Sequence, residues 1–217
     1  MGNQGTRQVS HDISFHSFQD VLDKHFHSRT RWQDYMRHSH YFQTLLEENP
    51  NTDPMNLVLS LDWKDIATCT PEGVMSRASP LVLDILLGFI EGPSRDNLML
   101  LSRTSPIERE CLWDLMEYFG VDHFVMLDAL MDNLARDMKQ DYQIIKFIFF
   151  HLSEVEEDSR YVLNNLVRYL MTQCCVRNPN REYPVELFED LMDAYDSGRS
   201  YDNELHRLLR YIWSFDK

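Results

Sequence analysis

The stretch Ser79-Pro80-Leu81-Val82-Leu83-Asp84-Ile85-Leu86-Leu87-Gly88-Phe89-Ile90-Glu91-Gly92 sets the character of the chain. Ser79 offers a side-chain cap to a helix N-terminus, and Pro80 already has the backbone angle of a first helical turn. Leu81, Val82, Leu83, Ile85, Leu86, Leu87, Phe89 and Ile90 follow, so the helix is apolar on nearly all sides and has to be buried. Gly92-Pro93 ends it, because glycine can take a left-handed cap and proline cannot continue the hydrogen-bond ladder. Such an element needs a real core, and 217 residues with 43% apolar and 12% aromatic side chains can build one.

Downstream the same grammar repeats at Ser105-Pro106-Ile107-Glu108, with Ser105 as cap and Glu108 placed to complete a capping box. Ile107, Cys111, Leu115, Met116 and Phe119 fall on one face, Glu108, Arg109, Asp114 and Glu117 on the other, and Gly120 stops the helix. A further helix starts at Asp122, and the pattern predicts others over 142–152, 159–176, 184–195 and 202–213. Upstream, Trp32, Tyr35, Met36, Phe42, Leu45 and Leu46 share a helical face that ends near Glu48, before the turn-forming cluster 49–54. Leu57, Val58, Leu59 and Leu61 read as a short buried strand, 62–77 as a surface insertion, and 15–27 as a strand leading into a helix.

A net charge of −14 opposes binding to phosphate backbones, so no nucleic-acid partner is expected. No apolar run approaches the roughly 20 residues of a membrane-spanning helix, and the N-terminus has no secretory core, which predicts a cytoplasmic protein with the nucleus open to it. The four cysteines form no paired framework and are expected to be reduced thiols. Met1-Gly2-Asn3-Gln4-Gly5-Thr6 fits the pattern for N-myristoylation at Gly2. One acyl chain binds membrane only marginally, and Arg7 is the sole nearby cation. Peripheral membrane association would therefore be weak and reversible, or would need several acylated copies in one oligomer; the alternative is an unmodified tail.

Six histidines, His11, His16, His25, His27, His38 and His40, crowd the first forty residues and raise zinc as a candidate ligand. On a helix the i, i+2 spacing of His25/His27 and His38/His40 points the rings apart, so the expectation is exposed or capping histidines and no metal or other cofactor. The chain holds no Gly-rich phosphate loop, no Gly-x-Ser-x-Gly elbow and no CxxC pair. A Cys111/His123 nucleophile pair can be named, but Cys111 sits on an apolar helix face where a thiol is usually packing. A catalytic centre is not expected. Trp63, in the insertion, is the best candidate for an exposed partner anchor.

Three local patterns together resemble a BTB/POZ domain: Asp12-Ile13-Ser14-Phe15 as its early strand, Ser39-His40-Tyr41-Phe42-Gln43-Thr44-Leu45-Leu46 as its Ser-x-Tyr-Phe segment, and Ser79 to Gly92 followed by Glu117-Tyr118-Phe119-Gly120-Val121 as its buried helix and hairpin pivot. The resemblance implies an α+β, predominantly helical fold in which a small sheet is covered by helical hairpins. It divides the chain into a tail over 1–9, a BTB/POZ-like domain over 10–139 and a BACK-like helical extension over 140–217. It implies a non-catalytic adaptor that self-associates as a homo-oligomer and recruits partners to a cullin-type ubiquitin ligase. The family's cullin contact maps near 39–46 and 117–124, which makes Tyr41, Phe42, Tyr118 and His123 candidate partner-binding residues. For Phe42 and Phe119 a plain core role is the stronger alternative. The competing reading of the whole chain is a Gly2-myristoylated, membrane-associated oligomeric scaffold with no ubiquitin link.

Overall fold

The computed structural model describes residues 18–26, 37–53, 56–57, 79–92, 99–134, 141–152, 154–155, 159–180 and 182–213. The chain divides into two compact units, residues 1–92 with 107–121, and residues 93–106 with 122–217. Among the described residues there is no strand, and the architecture is predominantly helical, which overturns the α+β fold with a small sheet. Leu57 shows the physical reason: its amide donates to the Asp53 carbonyl at 3.1 Å, the i to i−4 bond of a helical turn. A short apolar run looks the same whether it enters a core as strand or as helix. The expected strand at 12–15, the remainder of the expected strand after Leu57, the insertion at 62–77 and Gly2 lie outside the described residues.

In the first unit, α1 (Phe18–Phe26) packs on α3 (Pro80–Glu91), with Val21, Leu22 and His25 buried and Asp20, Asp23 and Lys24 facing outward. The local grammar of α3 is as its sequence reads. Ser79 Oγ accepts from the Val82 amide at 3.3 Å, Pro80 opens the first turn, and residues 82–90 are all buried. Helix α4 (Pro106–Phe119) buries Cys111, Leu112, Trp113, Leu115, Met116 and Phe119. Two of its residues break the expected amphipathic split. Ile107 is 66% exposed, because side chains lean toward the N-terminus and its own overhangs the helix start. Arg109 is 1% exposed, and burial pushes its guanidinium below the usual pKa.

The end of α4 is tied to the start of α2 (His40–Glu48) by one hydroxyl. Ser39 Oγ accepts from the Phe42 amide at 3.4 Å, capping α2, and donates to the Phe119 carbonyl at 2.7 Å, satisfying an orphan acceptor at the end of α4. Gly120 follows with φ +60°, its amide on the Glu117 carbonyl at 3.0 Å and the Val121 amide on Met116 at 2.8 Å. That is the double bond pattern with which a helix turns sharply at a glycine. Because Ser39 is buried and serves both ends, Ser39→Ala is expected to cost about 1–3 kcal/mol in urea denaturation. Ser39→Thr should recover part of that loss.

The second unit is a helical stack. Helices α5 (Phe124–Leu134) and α6 (Asp141–His151) pack together, α5 also meets α7 (Ser159–Arg177), and α9 (Asp202–Trp213) packs on both α7 and α8 (Val185–Asp196). Asp122 Oδ1 accepts from the Phe124 amide at 2.9 Å and so opens α5. The core is lined by Ile144, Ile145, Ile148 and Phe149 of α6, Val162, Leu163, Leu166 and Leu170 of α7, Phe188 and Leu191 of α8, and Leu205, Leu208, Leu209 and Ile212 of α9. Two tyrosines fasten distant segments: Tyr201 Oη donates to the Phe149 carbonyl at 2.6 Å and Tyr195 Oη to Ser159 Oγ at 2.8 Å. The exposed Arg207–Asp190 pair at 3.0 Å joins α8 to α9 but contributes little in water.

Candidate functional site

Three of the residues singled out from sequence meet in the first unit. The Tyr41 ring lies 5.4 Å from Tyr118 and 4.9 Å from Phe119, Phe42 lies 5.7 Å from Phe119, and Tyr118 is 5.2 Å from Phe119. Their geometries are tilted or edge-on, the arrangements aromatic quadrupoles favour, each worth about 0.5–1.5 kcal/mol beyond area. The convergence follows from the Ser39 and Gly120 joint, which sets the first turn of α2 against the last turn of α4. Exposure then separates the four rings. Phe42 and Phe119 are fully buried and form the floor, whereas Tyr41 and Tyr118 are half-buried and keep part of each ring at the surface. Phe42 therefore supports the surface and has no face to offer a partner.

The remaining candidates fall elsewhere. His123 belongs to the second unit, where its carbonyl accepts from the Met126 and Leu127 amides at 3.0 and 3.2 Å and begins α5. Trp63 lies outside the described residues. Cys111 is buried on α4, and Cys111, Cys174 and Cys175 are free thiols. Among the described residues no three His, Cys, Asp or Glu side chains could hold a metal ion, and none of the helices is long and apolar enough to cross a membrane.

A second feature of the first unit was not read from the sequence. Asp84, 0% exposed in the middle of α3, accepts from Lys24 Nζ at 2.7 and 3.0 Å and pairs with His25 Nε2 at 2.6 Å. The other ring nitrogen, His25 Nδ1, faces Glu91 Oε1 at 2.8 Å. An imidazole with a carboxylate on each nitrogen is satisfied only as the imidazolium, since the neutral ring has a single N–H to donate. Burial disfavours that charge, but the hydrogen bonds and charges of Asp84 and Glu91 outweigh it and raise the His25 pKa. Burial likewise opposes ionisation of Asp84, and His25 and Lys24 together hold its pKa below the usual value. The carboxylates sit at opposite edges of the ring, so the trio cannot converge on one cation. The available signal was a lone carboxylate inside an otherwise apolar helix, which has to find a counter-charge.

Compared with known proteins, the chain matches no protein-family model, no curated protein and no solved structure.

Proposed function

We propose that the chain is a non-catalytic protein-interaction module whose first unit docks partner proteins through the exposed edges of Tyr41 and Tyr118. The observation that carries this reading is the pairing of two half-buried tyrosines, their rings 5.4 Å apart, on a buried phenylalanine floor. Tyrosine offers a large amphipathic contact at low entropic cost, and a rigid floor removes much of the ordering penalty of binding. The described histidines and cysteines do not assemble a metal site, and the ionised groups of the Asp84 cluster neutralise one another in the core. A reducing, cytoplasmic compartment suits the thiols of Cys111, Cys174 and Cys175, which form no disulfide among the described residues. The cullin link that the BTB/POZ resemblance implies is not needed for this reading.

The test is quantitative recovery of proteins bound to the wild-type chain and to Tyr41→Ser/Tyr118→Ser, each expressed at native level, with an exposed control substitution at Met99. A defined set of partners should fall by about tenfold or more in the double variant, assayed below its melting temperature, which the loss of the ring pairs lowers. Unchanged recovery of every partner would sink the proposal.

A further inference from the structure

Among the described helices, α7 alone carries arginine and no acidic residue, in a chain whose net charge is −14. Its buried side, with Val162, Leu163, Leu166, Leu170 and Cys174, belongs to the core of the second unit. The helical period brings Tyr161, Arg168, Met171, Thr172, Cys175 and Val176 to the opposite side, and every one of them is exposed. Tyr161 at 55%, Met171 at 40% and Val176 at 60% exposure are large apolar groups left out of that core. The Thr172 hydroxyl adds little polarity, because it donates to the Arg168 carbonyl of its own helix at 3.0 Å.

The three arginines of α7 differ in what they meet. Arg160 pairs with Asp196 of α8, and Arg177 donates to Gln173 at 3.1 Å and lies over the Trp213 ring at 5.1 Å. Arg168, in the middle of the apolar face, pairs with no carboxylate among the described residues. Aromatic and aliphatic groups around an arginine are the make-up of the centre of a protein interface. Helix α8 has the matching chemistry. Half-exposed Val185 lies with Glu186, Glu189 and Asp193 on its solvent side, and the helix holds no basic residue. Asp190 and Asp196 are taken by Arg207 and Arg160, whereas no cation pairs with Glu186, Glu189 or Asp193 among the described residues. One arginine in a chain of −14 does not hold a phosphate-rich surface, and the apolar groups beside it call for a polypeptide cover. A second copy brings the acidic, valine-tipped face of α8 wherever the first is present.

We propose that the exposed face of α7 docks the solvent side of α8 in a second copy of the chain, with Arg168 set against Glu189 and Asp193 and with Tyr161, Met171 and Val176 covered. The contact joins two different patches, so each copy offers both halves. It shares no residue with the Tyr41–Tyr118 surface and stands without it.

The test is sedimentation velocity of the full-length protein over a concentration series, in about 50 and about 500 mM sodium chloride. The wild type should self-associate, with a dissociation constant about tenfold higher in the stronger salt. Arg168→Glu should weaken association by about tenfold, and so should Glu189→Arg with Asp193→Arg. An equimolar mixture of the two variants should recover the wild-type constant, because reversed charges then meet across one contact and native charges across the other. All three positions are exposed, so each variant should keep the helicity of the wild type. A wild type that stays monomeric at every concentration, association that neither variant changes, or a mixture no better than its components overturns the proposal. Association lost in Tyr41→Ser/Tyr118→Ser and kept in Arg168→Glu would assign the contact to the first unit and overturn it as well.

Discussion

Asp84→Ala is expected to lower the stability of the first unit by about 3–5 kcal/mol in urea denaturation, the scale of breaking a buried pair on one side. Asp84 is fully buried and serves two cations, accepting from Lys24 at 2.7 Å and pairing with His25 at 2.6 Å. Its removal strands His25, 4% exposed, with one ring nitrogen facing the space the carboxylate leaves. Lys24 is partly exposed and can turn to water, so most of the loss comes from the histidine. Replacing both partners, Asp84→Leu with His25→Leu, should recover most of the stability, because an apolar pair of similar volume has no ion to desolvate.

The same cluster makes the docking of α1 on α3 depend on pH with a definite sign. The folded pKa of His25 lies above its ordinary 6.5, so its contribution is complete below 6.5 and is lost as pH rises through the folded value. The folded pKa of Asp84 lies below its ordinary 3.8, so its contribution is complete above 3.8 and is lost as pH falls through the folded value. Both are present between 3.8 and 6.5. The groups facing His25 from α3 are Asp84 and Glu91, while on its own helix Lys24 shares Asp84 with it and Asp20 and Asp23 face outward. Thermal melting of the wild type should therefore exceed that of His25→Gln most clearly near pH 6, with the lead shrinking toward pH 9. A lead that widens with pH would mean that the ring is neutral in the folded chain.

Gly120→Ala is the second large effect, at about 2–4 kcal/mol. The backbone there has φ +60°, which costs an L-residue about 1–2 kcal/mol, and a Cβ at this position would stand 2.7 Å from the His40 Cβ. Relief requires α2 and the end of α4 to separate, stretching the His40 amide from the Gly120 carbonyl, already at 3.4 Å. Tyr41 and Tyr118 would then lose their common floor, so partner recovery should fall together with stability. In a His40→Gly background the steric part disappears and only the backbone cost of the alanine should remain.

Much of the helix inventory was legible from local patterns. Ser79 with Pro80, and Gly120, mark helix ends through the bonds of residues a few positions away, and α4 begins at Pro106 as expected, so the expected starts and stops of α3 and α4 match the observed ones. The last three helices follow from apolar periodicity in the same way. At Leu57, the one described residue of the expected strand, the reading failed because the pattern there has no period, and the bond from its amide to the Asp53 carbonyl is a single local choice between two equal readings. The resemblance to a sheet-bearing family rested on ordinary residue types, and those types serve equally well in helices.

By itself, then, the sequence determined where most of these helices begin and end and which apolar faces must be buried, because caps, glycines and a 3.6-residue period act within a few residues. The tertiary structure alone decided that Asp84 would meet His25 across 59 positions, that Tyr41 would meet Tyr118, and that the Tyr183 ring would stack on Phe188. Those pairings depend on which helix faces come together, and the charge or ring of one residue carries no address for the distant residue that completes it.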